Sequence, residues 1–154
     1  MTEKERTKLK NYVLWLLSRQ DYSRSQIEQK LRVKGAEEDY AKQLINWCEQ
    51  HGFIDDIRYN ESFIRRQINK GLGLMRIKND AFQKGINPEQ VETIVEGLQI
   101  DWYIQAQSAY NKKFSTTNDH LDYKERAKRM RYMSYRGFNH DQIEFAMQTN
   151  PSNE

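Results

Sequence analysis

Few residue types in this chain could do chemistry, and most of them stand in the wrong company. Cys48 and His51 have a ligand-like spacing, but zinc generally takes four ligands. There is no second cysteine, and His120 and His140 are scattered. No metal site is expected, and Cys48 is assigned to a core beside Trp47. Glu37-Glu38-Asp39 and Asp55-Asp56 imitate acidic catalytic clusters, yet each falls where a helix begins, a place that favours carboxylates through the dipole and through capping. Gly71-Leu72-Gly73 lacks the preceding strand and the third glycine of a dinucleotide loop, and no Gly-Lys-Ser/Thr occurs, so it reads as a hinge or helix break. Serine, lysine and histidine fall in no arrangement that would activate a nucleophile. Neither an enzyme nor a bound cofactor is expected.

What remains is charge. Between Lys124 and Arg136 stand six basic residues, Lys124, Arg126, Lys128, Arg129, Arg131 and Arg136, against one acid, Glu125. A second cluster, Arg58, Arg65, Arg66, Lys70, Arg76, Lys78 and Lys84, is opposed only by Glu61 and Asp80. Either cluster suits phosphates or an acidic protein groove. The net charge is only +3, so the chain is no general DNA-coating protein. Tyr59, Tyr103, Tyr123, Tyr132 and Tyr135 exceed what thin helical cores need; they either touch a partner or staple one repeat against the next.

These residues have to be positioned by helices. Leu9, Val13, Leu16 and Leu17 recur at helical spacing, whereas no segment alternates with period two over a useful length. One pattern recurs three times: Val33-Lys34-Gly35-Ala36, Gln83-Lys84-Gly85-Ile86 and Tyr135-Arg136-Gly137-Phe138, with glycines 50 and 52 residues apart. A basic residue followed by glycine is a helix stop. The helix starts are equally plain: Ser23 with Gln26, Asn87 with Pro88 and Gln90, and Asn139 with Gln142. Ile57, Phe63, Ile64 and Ile68 mark the first helix of the middle copy, while Ala127, Met130 and Met133 are expected to face inward near the end. The chain is therefore read as all-α, three tandem three-helix repeats in an elongated, curved arrangement, spanning residues 1–56, 57–100 and 101–150, with a tail at 151–154 and a polar loop from Ser115 to Asp119.

With 37% apolar and 31% charged residues the chain lacks material for one deep core, and 12% aromatics argue against disorder. Inter-repeat interfaces are expected to be small. The longest apolar run, Tyr12 to Leu17, is too short to span a membrane, no leader is read at the start, and the single cysteine agrees with a reducing compartment. A cytoplasmic monomer is expected.

Taken in order, several of these segments resemble the RecX family, bacterial regulators of the RecA recombinase. The likeness runs through Gly52-Phe53-Ile54-Asp55-Asp56-Ile57-Arg58-Tyr59 and Phe63-Ile64-Arg65-Arg66. It continues in Gly71-Leu72-Gly73 with Arg76-Ile77, Lys84-Gly85-Ile86, Ile100-Asp101-Trp102 and Arg136-Gly137-Phe138, and covers roughly residues 10 to 148. Met75 departs from it, since many members have proline there, and the loop at 115–121 is a place of variation. The resemblance implies modular three-helix repeats that lie in the helical groove of the RecA filament on single-stranded DNA and bridge neighbouring protomers. It implies inhibition of strand exchange, filament growth, ATP turnover and coprotease function, hence a role in DNA repair and the SOS response. The alternative is a direct nucleic-acid-binding protein with helix-turn-helix-like units, or weak contact with DNA alongside the filament.

Overall fold

A computed structural model describes residues 1–114 and 121–148. Among them are nine α-helices and no strand: α1 (Glu3–Arg19), α2 (Arg24–Val33), α3 (Glu38–Gln50), α4 (Asp56–Asn69), α5 (Leu74–Gln83), α6 (Pro88–Leu98), α7 (Trp102–Lys113), α8 (Tyr123–Tyr135) and α9 (His140–Gln148). The expected loop at 115–119 and the tail at 151–154 lie outside the described residues.

The thrice-repeated stop closes α2, α5 and α8 by one mechanism. In each, the glycine takes positive φ (78°, 83° and 103° at Gly35, Gly85 and Gly137). The residue after it donates back to the carbonyl five positions earlier: Ala36 to Leu31 at 3.1 Å, Ile86 to Ala81 at 2.9 Å and Phe138 to Met133 at 3.3 Å. This Schellman geometry satisfies carbonyls that the helix itself leaves unpaired. It also drops Ile86 and Phe138, each 2% exposed, into the cores, where burying such a side chain contributes about 1.5–3 kcal/mol. Reciprocal caps start α2, α6 and α9 through Ser23/Gln26, Asn87/Gln90 and Asn139/Gln142. The same device at Thr2/Glu5 starts α1 earlier than its first apolar residue suggested.

The described chain falls into two compact units, Met1–Ser62 and Phe63 onward, and the divide lies inside α4. The first unit is built on Val13, Leu16, Ile27, Leu31, Leu44, Ile45, Cys48 and Ile54. Cys48 is fully buried, with Trp47 packed on its cluster, and His51 turns its Nδ1 to the Trp47 carbonyl at 2.8 Å. Burial pushes the Cys48 thiol above its ordinary pKa, against the opposing pull of Lys10. Asp55 accepts from the Arg58 amide at 3.1 Å and so caps α4, while Asp56 accepts from the Arg24 amide at 2.8 Å and so supports the start of α2. The helix marked by Ile57, Phe63, Ile64 and Ile68 is α4, and Tyr59 on it bonds to the first repeat. Ile57 points outward, 78% exposed, and Tyr59 is buried at 4% exposure, its hydroxyl accepting from Gln26 at 3.1 Å.

In the second unit the middle and third repeats are joined through backbone. Helix α5 begins at Gly73, whose N–H donates to the Arg136 carbonyl at 2.8 Å, and the Met75 N–H donates to the Gly137 carbonyl at 3.2 Å. Unpaired donors at the head of α5 thus meet unpaired acceptors at the tail of α8, with the two helix dipoles in favourable opposition. The approach is possible only between glycines. A Cβ on Gly73 would stand 2.4 Å from the Gly137 carbonyl, and one on Gly137 would stand 2.3 Å from the Arg76 Cβ. Gln105 of α7 adds bonds to the Ile68 and Leu72 carbonyls at 2.7 and 3.3 Å. Gly71-Leu72-Gly73 does break the helix, but it is a dock rather than a hinge: Leu72 is buried and Gly73 is pinned.

Candidate partner-binding surface

The basic cluster of α8 divides by face. Lys124, Lys128, Arg131 and Tyr135 follow one another at steps of four, three and four, which places them on one side of the helix. All four are exposed, and among the described residues the three cations have no carboxylate partner. Their stripe is about 16 Å long at 1.5 Å per residue. A shallow depression of about 460 Å³ runs beside Tyr123, Lys124, Lys128 and Arg131. Tyr123 is 87% exposed and Tyr135 72%, so the cations lie between two aromatic ends. Two acids, Asp122 and Glu125, line the same depression. Asp122 accepts from the Glu125 amide as the cap of α8, and Glu125 is turned to Arg129.

The other basic residues of this cluster are committed elsewhere. Arg129 is only 5% exposed. Its Nη1 donates to the Tyr110 hydroxyl at 2.8 Å, its Nε donates to Glu125 at 3.0 Å, and its guanidinium lies 4.6 Å over the Phe114 ring. Burial works against its charge, but the hydrogen bonds to Tyr110 and Glu125 more than offset this, holding its pKa above the usual arginine value. A side chain so enclosed has no surface to offer a partner. Arg126 is exposed but pairs with Glu144 at 3.2 Å. Arg136 donates to the Lys70 carbonyl and lies 6.0 Å over Tyr132, inside the junction of the repeats.

The seven residues of the middle cluster do not form one patch. Arg58 belongs to the first unit, held by Asp21 at 3.0 Å and the Gly52 carbonyl at 3.1 Å. Lys78 pairs with Glu92. Arg76 pairs with Asp80 at 3.1 Å, donates to the Tyr135 carbonyl at 3.2 Å and lies 4.8 Å over that ring, so it ties the two repeats together. Arg65, Arg66, Lys70 and Lys84 are exposed. The tyrosines divide as well: Tyr103 sits edge-on to Phe145 at 5.6 Å, Tyr132 edge-on to Phe114 at 5.5 Å, and Tyr123 and Tyr135 face outward.

Sequence reasoning passed over Lys112 and Lys113 in the last turn of α7. With Lys70 and Arg136 they line a pocket of about 160 Å³ that Gly71, Ser108, Ala109 and Tyr132 complete. Only the doubled lysine at a helix end could have signalled it, and that is equally the pattern of a dipole-stabilising cap. No group of three His, Cys, Asp or Glu side chains among the described residues could hold a metal ion. None of the described helices is long and apolar enough to cross a membrane.

Family models for the first, second and third three-helix domains of RecX match residues 10–48, 55–93 and 100–147. The chain is 37% identical over 138 residues to the regulatory protein RecX of Vibrio parahaemolyticus, covering 90% of this chain and 88% of that one. It is 36% identical to that of Vibrio vulnificus, with 90% of each covered. Among solved structures it is similar to RecX from Lactobacillus salivarius, with a TM-score of 0.73, 27% identity and 96% and 97% of the two chains covered.

Proposed function

The chain belongs to the RecX family, and we propose that within it the protein binds the RecA nucleoprotein filament, lies in its helical groove and lowers its recombinase, ATPase and coprotease activities. The observation that carries the contact is the α8 stripe, in which Lys124, Lys128 and Arg131 stand without carboxylate partners among the described residues, between exposed Tyr123 and Tyr135. Cations of this kind steer an acidic partner from a distance and set its register, and tyrosine supplies contact area with a polar tip. Arg126, Arg65, Arg66, Lys70 and Lys84 are secondary candidates. Arg58, Arg76, Lys78 and Arg129 act first within the chain and influence a partner through the shape they hold.

The same stripe would also fit phosphates, which favours direct nucleic-acid binding as the second reading. The test is RecA ATP hydrolysis on single-stranded DNA with this protein titrated below stoichiometry, while its binding to bare DNA is followed in parallel. The filament reading expects turnover to fall at protein levels too low to cover the DNA. A fall only as the DNA becomes covered makes the protein a competing DNA binder.

A further inference from the structure

The pocket between Lys70, Lys112, Lys113 and Arg136 has a chemistry that the α8 stripe does not use. Four cationic side chains line it, and no carboxylate does. Among the described residues Lys70, Lys112 and Lys113 have no ion-pair partner; Lys113 lies 5.4 Å over the Tyr132 ring. Arg136 uses one nitrogen on the Lys70 carbonyl, while its Nε is buried with no hydrogen-bond acceptor. A buried guanidinium N–H with nothing to donate to is rare.

A simpler account is that these cations only complement helix ends, since α4, α7 and α8 all terminate around the pocket. The charges decide against that. Each C-terminus carries about half a negative charge, so three amount to roughly −1.5 against four full cations, and the site keeps a surplus of about +2.5. The site is also held in place. The Gly73–Arg136 and Met75–Gly137 backbone bonds fix its two sides, and Gly71 leaves room for the guanidinium, a Cβ there standing 3.3 Å from Arg136 Nη2. At about 160 Å³ the pocket is well below the roughly 300 Å³ that a whole small-molecule ligand requires. The Tyr132 ring is already engaged by Phe114, Lys113 and Arg136, so no base would stack on it.

We propose that the junction of the second and third repeats is a binding site for a single phosphate group, held by Lys70, Lys112, Lys113 and Arg136 with Ser108 at its rim. The phosphate comes either from a polynucleotide backbone or from a free nucleotide. Recognition of the oxyanion alone makes the site blind to base sequence.

The test uses the full chain, a Lys112→Gln/Lys113→Gln variant, and a Lys4→Gln/Lys8→Gln control that removes equal charge from α1. Amide NMR shifts are followed as inorganic phosphate replaces chloride at fixed ionic strength. Phosphate is expected to move the amides of Lys70, Gly71, Lys112 and Arg136 in the natural chain and in the control, and to leave them still in the pocket variant. Signal dispersion elsewhere reports that each variant is folded. An oligo-dT that moves the same amides, with a log–log salt slope smaller by about 0.7 in the pocket variant, identifies a polynucleotide as the source. ATP moving them where oligo-dT does not identifies a free nucleotide. No phosphate-specific shift in the natural chain, shifts retained in the pocket variant, or equal loss in the α1 control would overturn the site. RecA is absent from the assay, so this result and that of the filament reading stand or fall separately.

Discussion

Gly73→Ala adds one methyl group at a residue whose φ of −87° any L-residue adopts, so the substitution carries no backbone strain of its own. Its cost is steric. The new carbon would lie 2.4 Å from the carbonyl carbon and oxygen of Gly137 and 2.7 Å from the Phe138 nitrogen, all backbone atoms that no rotamer change can move aside. Relief needs the middle and third repeats to part by about 1 Å, which breaks the 2.8 Å Gly73–Arg136 bond and the 3.2 Å Met75–Gly137 bond. Two such bonds contribute about 1 kcal/mol each, and forced displacement of packed structure costs about 1–3 kcal/mol more. The sum is about 3–5 kcal/mol. Gly85→Ala is the matched control, with φ of +83° and nothing within 4 Å of the added carbon; left-handed strain alone costs about 1–2 kcal/mol. In urea unfolding followed by circular dichroism, a slope near 2 kcal/mol/M makes these shifts of about 1.5–2.5 M and 0.5–1 M. Hydrogen exchange at the Met75 amide should accelerate in the first variant only. If Gly73→Ala unfolds no earlier than Gly85→Ala and Met75 stays protected, the backbone dock is not what joins the repeats.

The remaining predictions concern residues that look alike in sequence and differ in the fold. Arg129→Ala leaves the buried Tyr110 hydroxyl without its charged partner and should cost about 2–3 kcal/mol in urea unfolding, whereas Lys128→Ala, one residue away and exposed, should stay within about 0.5 kcal/mol. Replacing Lys124, Lys128 and Arg131 together by alanine removes three exposed charges worth about 0.5 kcal/mol each, so half-maximal inhibition of RecA ATP hydrolysis should need about tenfold more protein, with helicity unchanged; Arg126→Ala, already paired with Glu144, should change it little. Burial raises the Cys48 pKa, so the folded state favours the protonated thiol; this contribution is complete below about pH 8.5 and is lost as pH rises through the raised value. The stability of the natural chain should therefore fall above that pH, and Cys48→Ala should lack this part of the fall in urea midpoints measured across the range.

What could be read from the sequence was what is encoded locally. The three helix stops and the reciprocal caps at Ser23, Asn87 and Asn139 involve residues at most five apart, so spacing alone carries them. Positions settled by distant partners were not legible. Arg129 counts as surface charge until the Tyr110 hydroxyl, 19 residues away, is known to need it. Tyr59 counts as an exposed aromatic until Gln26 reaches it from α2. Gly71-Leu72-Gly73 shows as a helix break because glycine disfavours helix, but its role as a dock depends on Gly137, on another repeat. The junction of the second and third repeats uses backbone hydrogen bonds and arginine, which a count of apolar residues does not register. The basic clusters were legible as composition only; which of their members face solvent depends on the helix face and on the acids that happen to lie opposite.

The most direct test of the filament reading is equilibrium binding of the fluorescently labelled full chain to RecA filaments assembled on single-stranded DNA and to the same DNA without RecA, across a range of salt. The account predicts tight binding to the filament and much weaker, steeply salt-dependent binding to bare DNA, with the Lys124, Lys128 and Arg131 substitutions weakening the first. Equal affinity for filament and bare DNA, with the same salt slope on both, would contradict it.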